Sequence, residues 1–100
     1  FWVEQYAYLV KKLDSMQEGD GTVLDQCCVM MANEQWTAHT APKVPLIVSG
    51  GMGGTTQTGR TLDYEKAKDR KMSSLYLSIM DRMGAPLSEF GNSKDQLAEF

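Results

Sequence analysis

The residues best suited to chemistry lie between positions 31 and 54, in the segment MANEQWTAHTAPKVPLIVSGGMGG. This segment contains His39, the one histidine in the sequence, and Glu34 five residues before it. Imidazole is a common general base and metal ligand, and a carboxylate is a suitable second ligand. His39 and Glu34 are therefore the candidate metal ligands of this sequence. The alternative interpretation is a hydrogen-bonded loop histidine beside a solvated glutamate.

Two other features could bind an anion. SGGMGG, at 49–54, follows an apolar run as phosphate-binding loops do. Such loops lead directly into a helix, whereas this one continues into TTQTGRTL, which favours a tight turn. Arg60 could bind an anionic group through two N–H groups, or it could form a structural ion pair. No Ser-His-Asp or Cys-His set can be assembled, so the residues do not amount to a complete active site.

The two cysteines, Cys27 and Cys28, are adjacent in the sequence. Neighbouring side chains of an extended strand point to opposite faces, which is poor geometry for a disulfide between them. We expect both to be free and to pack as small apolar residues. Together with His39 they are too few for a structural zinc site, which takes about four such ligands.

Composition excludes several classes of protein. Apolar residues make up 42% of the 100 residues, which is typical of a globular chain. Ten basic and thirteen acidic residues give a net charge of −3, and the basic residues are dispersed, so nucleic acid is not an expected partner. No apolar run approaches the roughly 20 residues that span a bilayer, so no membrane span is predicted.

The apolar pattern predicts two main helices. In residues 1–16, apolar residues recur at spacings of three and four, as in an amphipathic helix that packs on a sheet. They are Trp2, Tyr6, Leu9, Leu13 and Met16. A second helix is predicted from about Lys66 to Met83. Its inward face is predicted to consist of Met72, Leu75, Tyr76, Ile79, Met80 and Met83, which leaves Ser74 and Leu77 outside it.

Two short apolar runs, Cys27 to Met31 and Leu46 to Val48, predict neighbouring strands buried on both faces. The connection between them has no helical pattern, which favours antiparallel pairing. A short exposed strand or hairpin is predicted around 60–64, and a glycine turn at Gly91 is predicted to precede a last helical turn. The predicted fold class is α/β, with two or three strands and two main helices that form part of a larger layered sheet.

Several segments, in this order, resemble one bacterial family of unknown function. They are FWVEQYAYL, EGDGTVLD, His39 followed after five residues by proline, TGR, and MG with a later FG. The family is known by its HXXSHH signature and is related to alkaline-phosphatase and sulfatase-like proteins. The resemblance covers nearly the whole chain and implies an alkaline-phosphatase-like layered sheet. Residues 1–100 are then either a single domain or a C-terminal fragment of a larger α/β domain, and the opening FWVEQ, without an initiator methionine, favours the fragment.

The resemblance also implies a cellular location and a function. The HXXSHH signature would precede Phe1, and the intact protein would be extracytoplasmic, either periplasmic or secreted. His39 matches the histidine of a second loop of the family, where Ala41 takes the place of another histidine. The intact parent would be a hydrolase-like protein with a divalent metal of unknown identity. The alternative is a structural or interaction protein that keeps the scaffold without catalysis. The expected partners are the remainder of the parent chain or a second copy of this one.

Overall fold

The computed structural model describes residues 1–34, 38–39 and 43–100. Within these residues the chain has three α-helices and two small antiparallel sheets of two strands each. The predicted α/β class is therefore confirmed. The chain divides into two compact units, Phe1–Gly54 and Thr55–Phe100. No helix of the described residues is long and apolar enough to cross a membrane.

The first unit begins with the predicted amphipathic helix. Helix α1 spans Trp2–Asp14 and ends at Ser15, whose N–H bonds to carbonyl oxygens of the last turn. A hairpin follows, in which β1 (Gln17–Glu18) pairs with β2 (Gly21–Thr22). Gly19 takes a positive φ of 57° in the turn. The glycines that predicted the end of the helix thus form this turn.

A short helix that the apolar pattern did not predict comes next. Helix α2 spans Val23–Gln26, and the backbone N–H of Thr22 donates to the Asp25 carboxylate at 2.7 Å. A threonine followed three residues later by an acidic side chain is a capping signal that the sequence carries. Because Cys27 is the C-terminal cap of α2, the strand predicted from Cys27 begins only at Val29.

The second sheet confirms the predicted pair of strands. Strand β3 (Val29–Ala32) pairs antiparallel with β4 (Leu46–Ser49), and Met30 lies opposite Val48. The expectation of complete burial is wrong. Most side chains of both strands are half-buried, and Ile47 is 42% exposed.

The second unit is built around helix α3, which spans Met72–Arg82. The helix begins about six residues later than predicted because Lys71 is extended, with ψ of 141°, and its N–H bonds to the Asp69 carboxylate at 3.0 Å. An aspartate that bonds its own backbone two residues on favours a turn over a helix. Residues 60–64, predicted as a strand or hairpin, contain no strand.

The predicted inward face of α3 is partly correct. Leu75 is buried as predicted, and Met72, Tyr76, Ile79 and Met80 are half-buried. Met83 is 48% exposed, and the helix also buries Ser74, Leu77 and Ser78, of which Ser74 and Leu77 were predicted outside the face. The N–H of Leu97 lies 2.9 Å from the Ser78 hydroxyl and 3.2 Å from the Ser74 carbonyl oxygen. Small serines let the C-terminal segment approach the helix closely. The glycine turn at Gly91 is confirmed, with φ of 57°, but no helical turn follows it.

Candidate functional site

Glu34 and His39 both lie in the connection between β3 and β4, and both side chains are exposed. His39 has a positive φ of 62°, a conformation that histidine adopts more readily than most residues. Residues 35–37 and 40–42 lie outside the described residues, and with them Ala41. Across residues 1–34, 38–39 and 43–100, no three His, Cys, Asp or Glu side chains are grouped so that they could hold a metal ion. A metal role for His39 and Glu34 stays a prediction.

The SGGMGG segment forms a turn that packs against the end of α2. The N–H of Gly51 bonds to the Leu24 carbonyl oxygen at 3.1 Å, and that of Met52 bonds to the Cys27 carbonyl oxygen at 3.2 Å. These are backbone donors that a phosphate-binding loop would direct at its anion. Here they point into the protein. The geometry therefore supports the tight turn rather than the anion site.

Gly50 explains why this turn needs glycine. Its φ is 106°, and a Cβ atom placed on it would lie 2.1 Å from the Cys27 carbonyl oxygen. No side chain fits at that distance. Cys27 and Cys28 are both free, as predicted, but each is half-buried and not fully buried. Burial, with a smaller effect of Cys27, raises the pKa of the Cys28 thiol, which keeps it protonated and weakly nucleophilic at neutral pH.

Arg60 donates to three main-chain oxygen atoms. Its Nε donates to the Gln57 carbonyl oxygen at 2.8 Å and its Nη2 to that of Phe100 at 2.8 Å. Its Nη1 donates to the carbonyl oxygen of Glu99. Arg60 therefore holds the segment that ends at Phe100.

A second arginine lies in the same part of the unit. Arg82, at the C-terminal end of α3, donates from Nη1 to the Thr55 carbonyl oxygen, and its guanidinium lies 5.5 Å from the centre of the Phe100 ring. Arg60 and Arg82 line one cleft of about 370 Å³, which we call the arginine cleft. Its other lining residues are Thr55, Gln57, Leu97, Glu99 and Phe100. Sequence reasoning missed Arg82, because nothing in the spacing of residues 60 and 82 indicates that they share a cleft.

A group of hydroxyls surrounds the start of α3. Ser74 donates to the Asp69 carboxylate at 2.6 Å, Ser74 and Ser93 hydroxyl oxygens lie 2.8 Å apart, and those of Ser73 and Ser93 lie 2.6 Å apart. The hydrogen bond from Ser74 is the main reason that the pKa of Asp69 is lowered. A carboxylate with a lowered pKa is a weak base, so it would not activate a serine nucleophile. These residues fix the start of the helix against Ser93.

Helix α1 contacts the β3–β4 sheet through Tyr6. Its hydroxyl lies 2.7 Å from Ser49 Oγ and 3.0 Å from the Val29 carbonyl oxygen. None of the residues of α1 is fully buried.

Comparison with known proteins finds no family model, no curated protein and no solved structure that matches this chain.

Proposed function

We propose that this chain is a C-terminal part of an exported bacterial protein of the HXXSHH family, related to alkaline-phosphatase and sulfatase-like hydrolases. In this proposal residues 1–100 supply helices and strands to a larger layered sheet, while the catalytic residues lie mainly elsewhere in the parent. The observation that carries the proposal is an apolar stripe on α1 that stays exposed in the described part of the Phe1–Gly54 unit.

The predicted apolar face of α1 is divided in two. Tyr6, Val10 and Leu13 are half-buried. Trp2, Leu9 and Met16 are 77%, 46% and 44% exposed, and we call these three residues the outer stripe. They are spaced by seven residues, so they stay within about 40° of one another around the helix axis, Met16 lying just past its end.

An uncovered apolar stripe of this kind marks a surface that packs against another part of a protein. The two sheets support the same interpretation. Each has two strands, and a pair of strands is only marginally stable alone; among the described residues, the outer edges of both sheets pair with no further strand. The occupant that fits both features is the remainder of the parent chain, which would cover the outer stripe and extend a sheet. In the absence of the parent, a second copy of the chain would take its place.

His39 and Glu34 have a defined place in this proposal. Both side chains are exposed in the loop after β3, and they would lie at the rim of a site whose principal ligands come from the HXXSHH segment. A divalent metal held there would act as a Lewis acid in the hydrolysis of a phosphate or sulfate ester. This chemistry is inferred by analogy with alkaline-phosphatase and sulfatase-like proteins.

A non-catalytic scaffold is the second candidate function. The sequence has Ala41 where the related loop carries another histidine. Within the part of the chain that the structure describes, His39 and Glu34 belong to no group of three that could hold a metal. In this case the chain would keep the packing role of α1 and its sheets, and the intact protein would hydrolyse no ester.

The experiment is to read the gene on the 5′ side of the Phe1 codon and to purify its full product. We expect an open reading frame with an HXXSHH stretch, and a product that retains a divalent metal after dialysis and hydrolyses an activated aryl phosphate or sulfate. An HXXSHH product that is inactive and metal-free would favour the scaffold. A stop codon or an unrelated domain before Phe1 would contradict both.

A further inference from the structure

We propose that the groove holding residues 97–100 is a binding site for the end of an extended peptide, and that the chain's own residues occupy it in this structure. We call residues 97–100 the strap. The ligand is a peptide that ends in an acidic residue and an aromatic residue with a free carboxylate. This inference concerns the Thr55–Phe100 unit alone and does not rest on the function proposed above.

The first half of the strap is held through its main chain. The N–H of Leu97 lies 2.9 Å from the Ser78 hydroxyl and 3.2 Å from the Ser74 carbonyl oxygen. The carbonyl oxygen of Ala98 accepts a hydrogen bond from the Tyr64 hydroxyl. Bonds to main-chain groups hold an extended peptide whatever its side chains are. This part of the groove therefore supplies affinity rather than specificity.

The second half of the strap is held by two arginines. Arg60 donates to the carbonyl oxygen of Glu99 and, at 2.8 Å, to an oxygen of Phe100. In the 100-residue chain this second oxygen belongs to a terminal carboxylate. The Arg82 guanidinium lies 5.5 Å from the centre of the Phe100 ring. Since guanidinium groups bind carboxylates and aromatic faces, this end of the groove favours an aromatic residue with a free carboxylate.

The charges in the groove are balanced only while the strap is bound. The Glu99 side chain and the terminal carboxylate carry two negative charges beside the two arginines. The residues that line the arginine cleft outside the strap are Thr55, Gln57, Arg60 and Arg82, of which the arginines alone are charged. If the strap left, both negative charges would leave with it. The open groove would then favour a ligand that replaces both of them.

The strap has the features of a segment that can open. Glu99 has a positive φ of 62°, which is uncommon for a residue other than glycine, asparagine or aspartate. A backbone in this conformation is held there by its surroundings, so release of the strap would relieve it. Ala98, Glu99 and residues 94–96 are exposed. Segments with few buried contacts open at the lowest free-energy cost.

The competing explanation is that the strap serves only to close the Thr55–Phe100 unit. Its contacts with Arg60 and Tyr64 would then be structural. The two explanations differ in what happens when the strap is weakened. A structural closure would leave a less stable unit, whereas a binding site would admit a free peptide more readily.

The test is a titration of the dye-labelled peptide LAEF with the 100-residue chain, followed by fluorescence anisotropy. Glu99→Pro should open the groove, because proline fixes φ near −65° and cannot take the conformation of Glu99. We expect this variant to bind the peptide about tenfold more tightly than the unaltered chain, since a larger fraction of grooves is open. Phe100→Ala removes only the ring beside Arg82 and should tighten binding by about threefold.

Unfolding produces neither gain, so both variants can contradict the proposal. Equal binding of the peptide to all three proteins, or saturable binding to none of them, would overturn it. Absence of peptide binding by a chain that dimerises only while its strap is intact would assign the groove to a second copy, and would also overturn it.

Further changes in the Glu99→Pro chain locate the site. Tyr64→Phe should weaken peptide binding by about fivefold, the size of one lost hydrogen bond. Tyr76→Phe is the matched control, because it removes a hydroxyl from a ring that contacts Phe90 in the same unit. The peptide with an amide at its end should bind about tenfold more weakly than the free acid, because it lacks the charge that Arg60 binds. Equal effects of Tyr64→Phe and Tyr76→Phe, or equal binding of acid and amide, would contradict a site for a peptide end in this groove.

Discussion

Gly50 is the residue at which backbone geometry leaves the least choice of side chain. Gly50→Ala should lower the free energy of unfolding by more than about 2 kcal/mol, because its positive φ and the contact with the Cys27 carbonyl oxygen both oppose a Cβ atom. Gly54→Ala is the control. Gly54 also has a positive φ, of 84°, but nothing lies within 4 Å of its Cβ position, so about 1 kcal/mol is expected. Equal losses in urea unfolding would show that the close contact is absent.

Leu77 tests the corrected face of α3. It is 2% exposed, so Leu77→Asp would bury an unpaired carboxylate and should lower the free energy of unfolding by more than about 3 kcal/mol. Met83→Asp should cost less than about 1 kcal/mol, because Met83 is 48% exposed. The original pattern placed Met83 inward and Leu77 outward. Thermal unfolding that shows the larger loss in Met83→Asp would restore that first assignment.

Because of Asp69, the free energy of unfolding should depend on pH in the acid range. The hydrogen bond from Ser74 holds its pKa below the ordinary value of 3.8, so folding favours the charged form. The resulting stabilisation is complete above that value and is lost as the pH falls through the lower pKa of the folded state. Ser74→Ala should reduce this loss between neutral and acid pH, measured by urea unfolding at several pH values. An unchanged pH dependence would mean that Ser74 does not lower the pKa.

Residue chemistry was only partly predictable from the sequence. The free cysteines and the glycine turn followed from local geometry, which depends on neighbours in the chain. Arg60 was recognised as an anion-binding candidate, but two of its three partners, Glu99 and Phe100, lie 39 and 40 positions away and left no signal in the spacing. Arg82 and the Asp69–Ser74–Ser93 contacts were missed for the same reason. Contacts between distant residues are set by packing, which a single sequence does not specify.

Secondary structure was predicted best where apolar residues recur at helical spacing over many residues, or where an apolar run is bounded by turn residues. Helix α1 and the β3–β4 pair are examples. Helix α2 was missed because four residues are too few to show a period. The buried face of α3 was predicted only in part, because small serines, which apolar patterns place outside, face the C-terminal segment. Apolar periodicity thus predicts that a helix forms more reliably than which side it buries.

The outer stripe of α1 leads to a prediction about association. At rising concentration the 100-residue chain should self-associate, because Trp2 and Leu9 expose apolar surface on one side of the helix. Leu9→Glu should shift sedimentation velocity profiles toward the monomer. Ala7→Glu is the matched control, since Ala7 is exposed and lies roughly 160° from Leu9 around the helix. Equal effects of the two variants would show that added charge, and not the stripe, controls association.

At the scale of the whole molecule, we propose that other parts of a parent protein pack against helix α1. The Phe1–Gly54 unit contains the half-buried strands β3 and β4 and a helix with no fully buried residue, which is what a portion of a larger layered sheet would present. Composition and period could not reveal this uncovered surface, because they show which residues are apolar and not what covers them. The family resemblance supplied the idea of a parent.

The central claim is that the outer stripe is covered in the intact protein, and Leu9→Glu tests it most directly. The substitution is made in the 100-residue chain and in the full product of its reading frame, and urea unfolding is measured for both. In the short chain, where Leu9 is 46% exposed, a loss below about 1 kcal/mol is expected. In the full product the charge would enter a packed interface, and the loss should exceed about 2 kcal/mol. The same small loss in both proteins would contradict the claim.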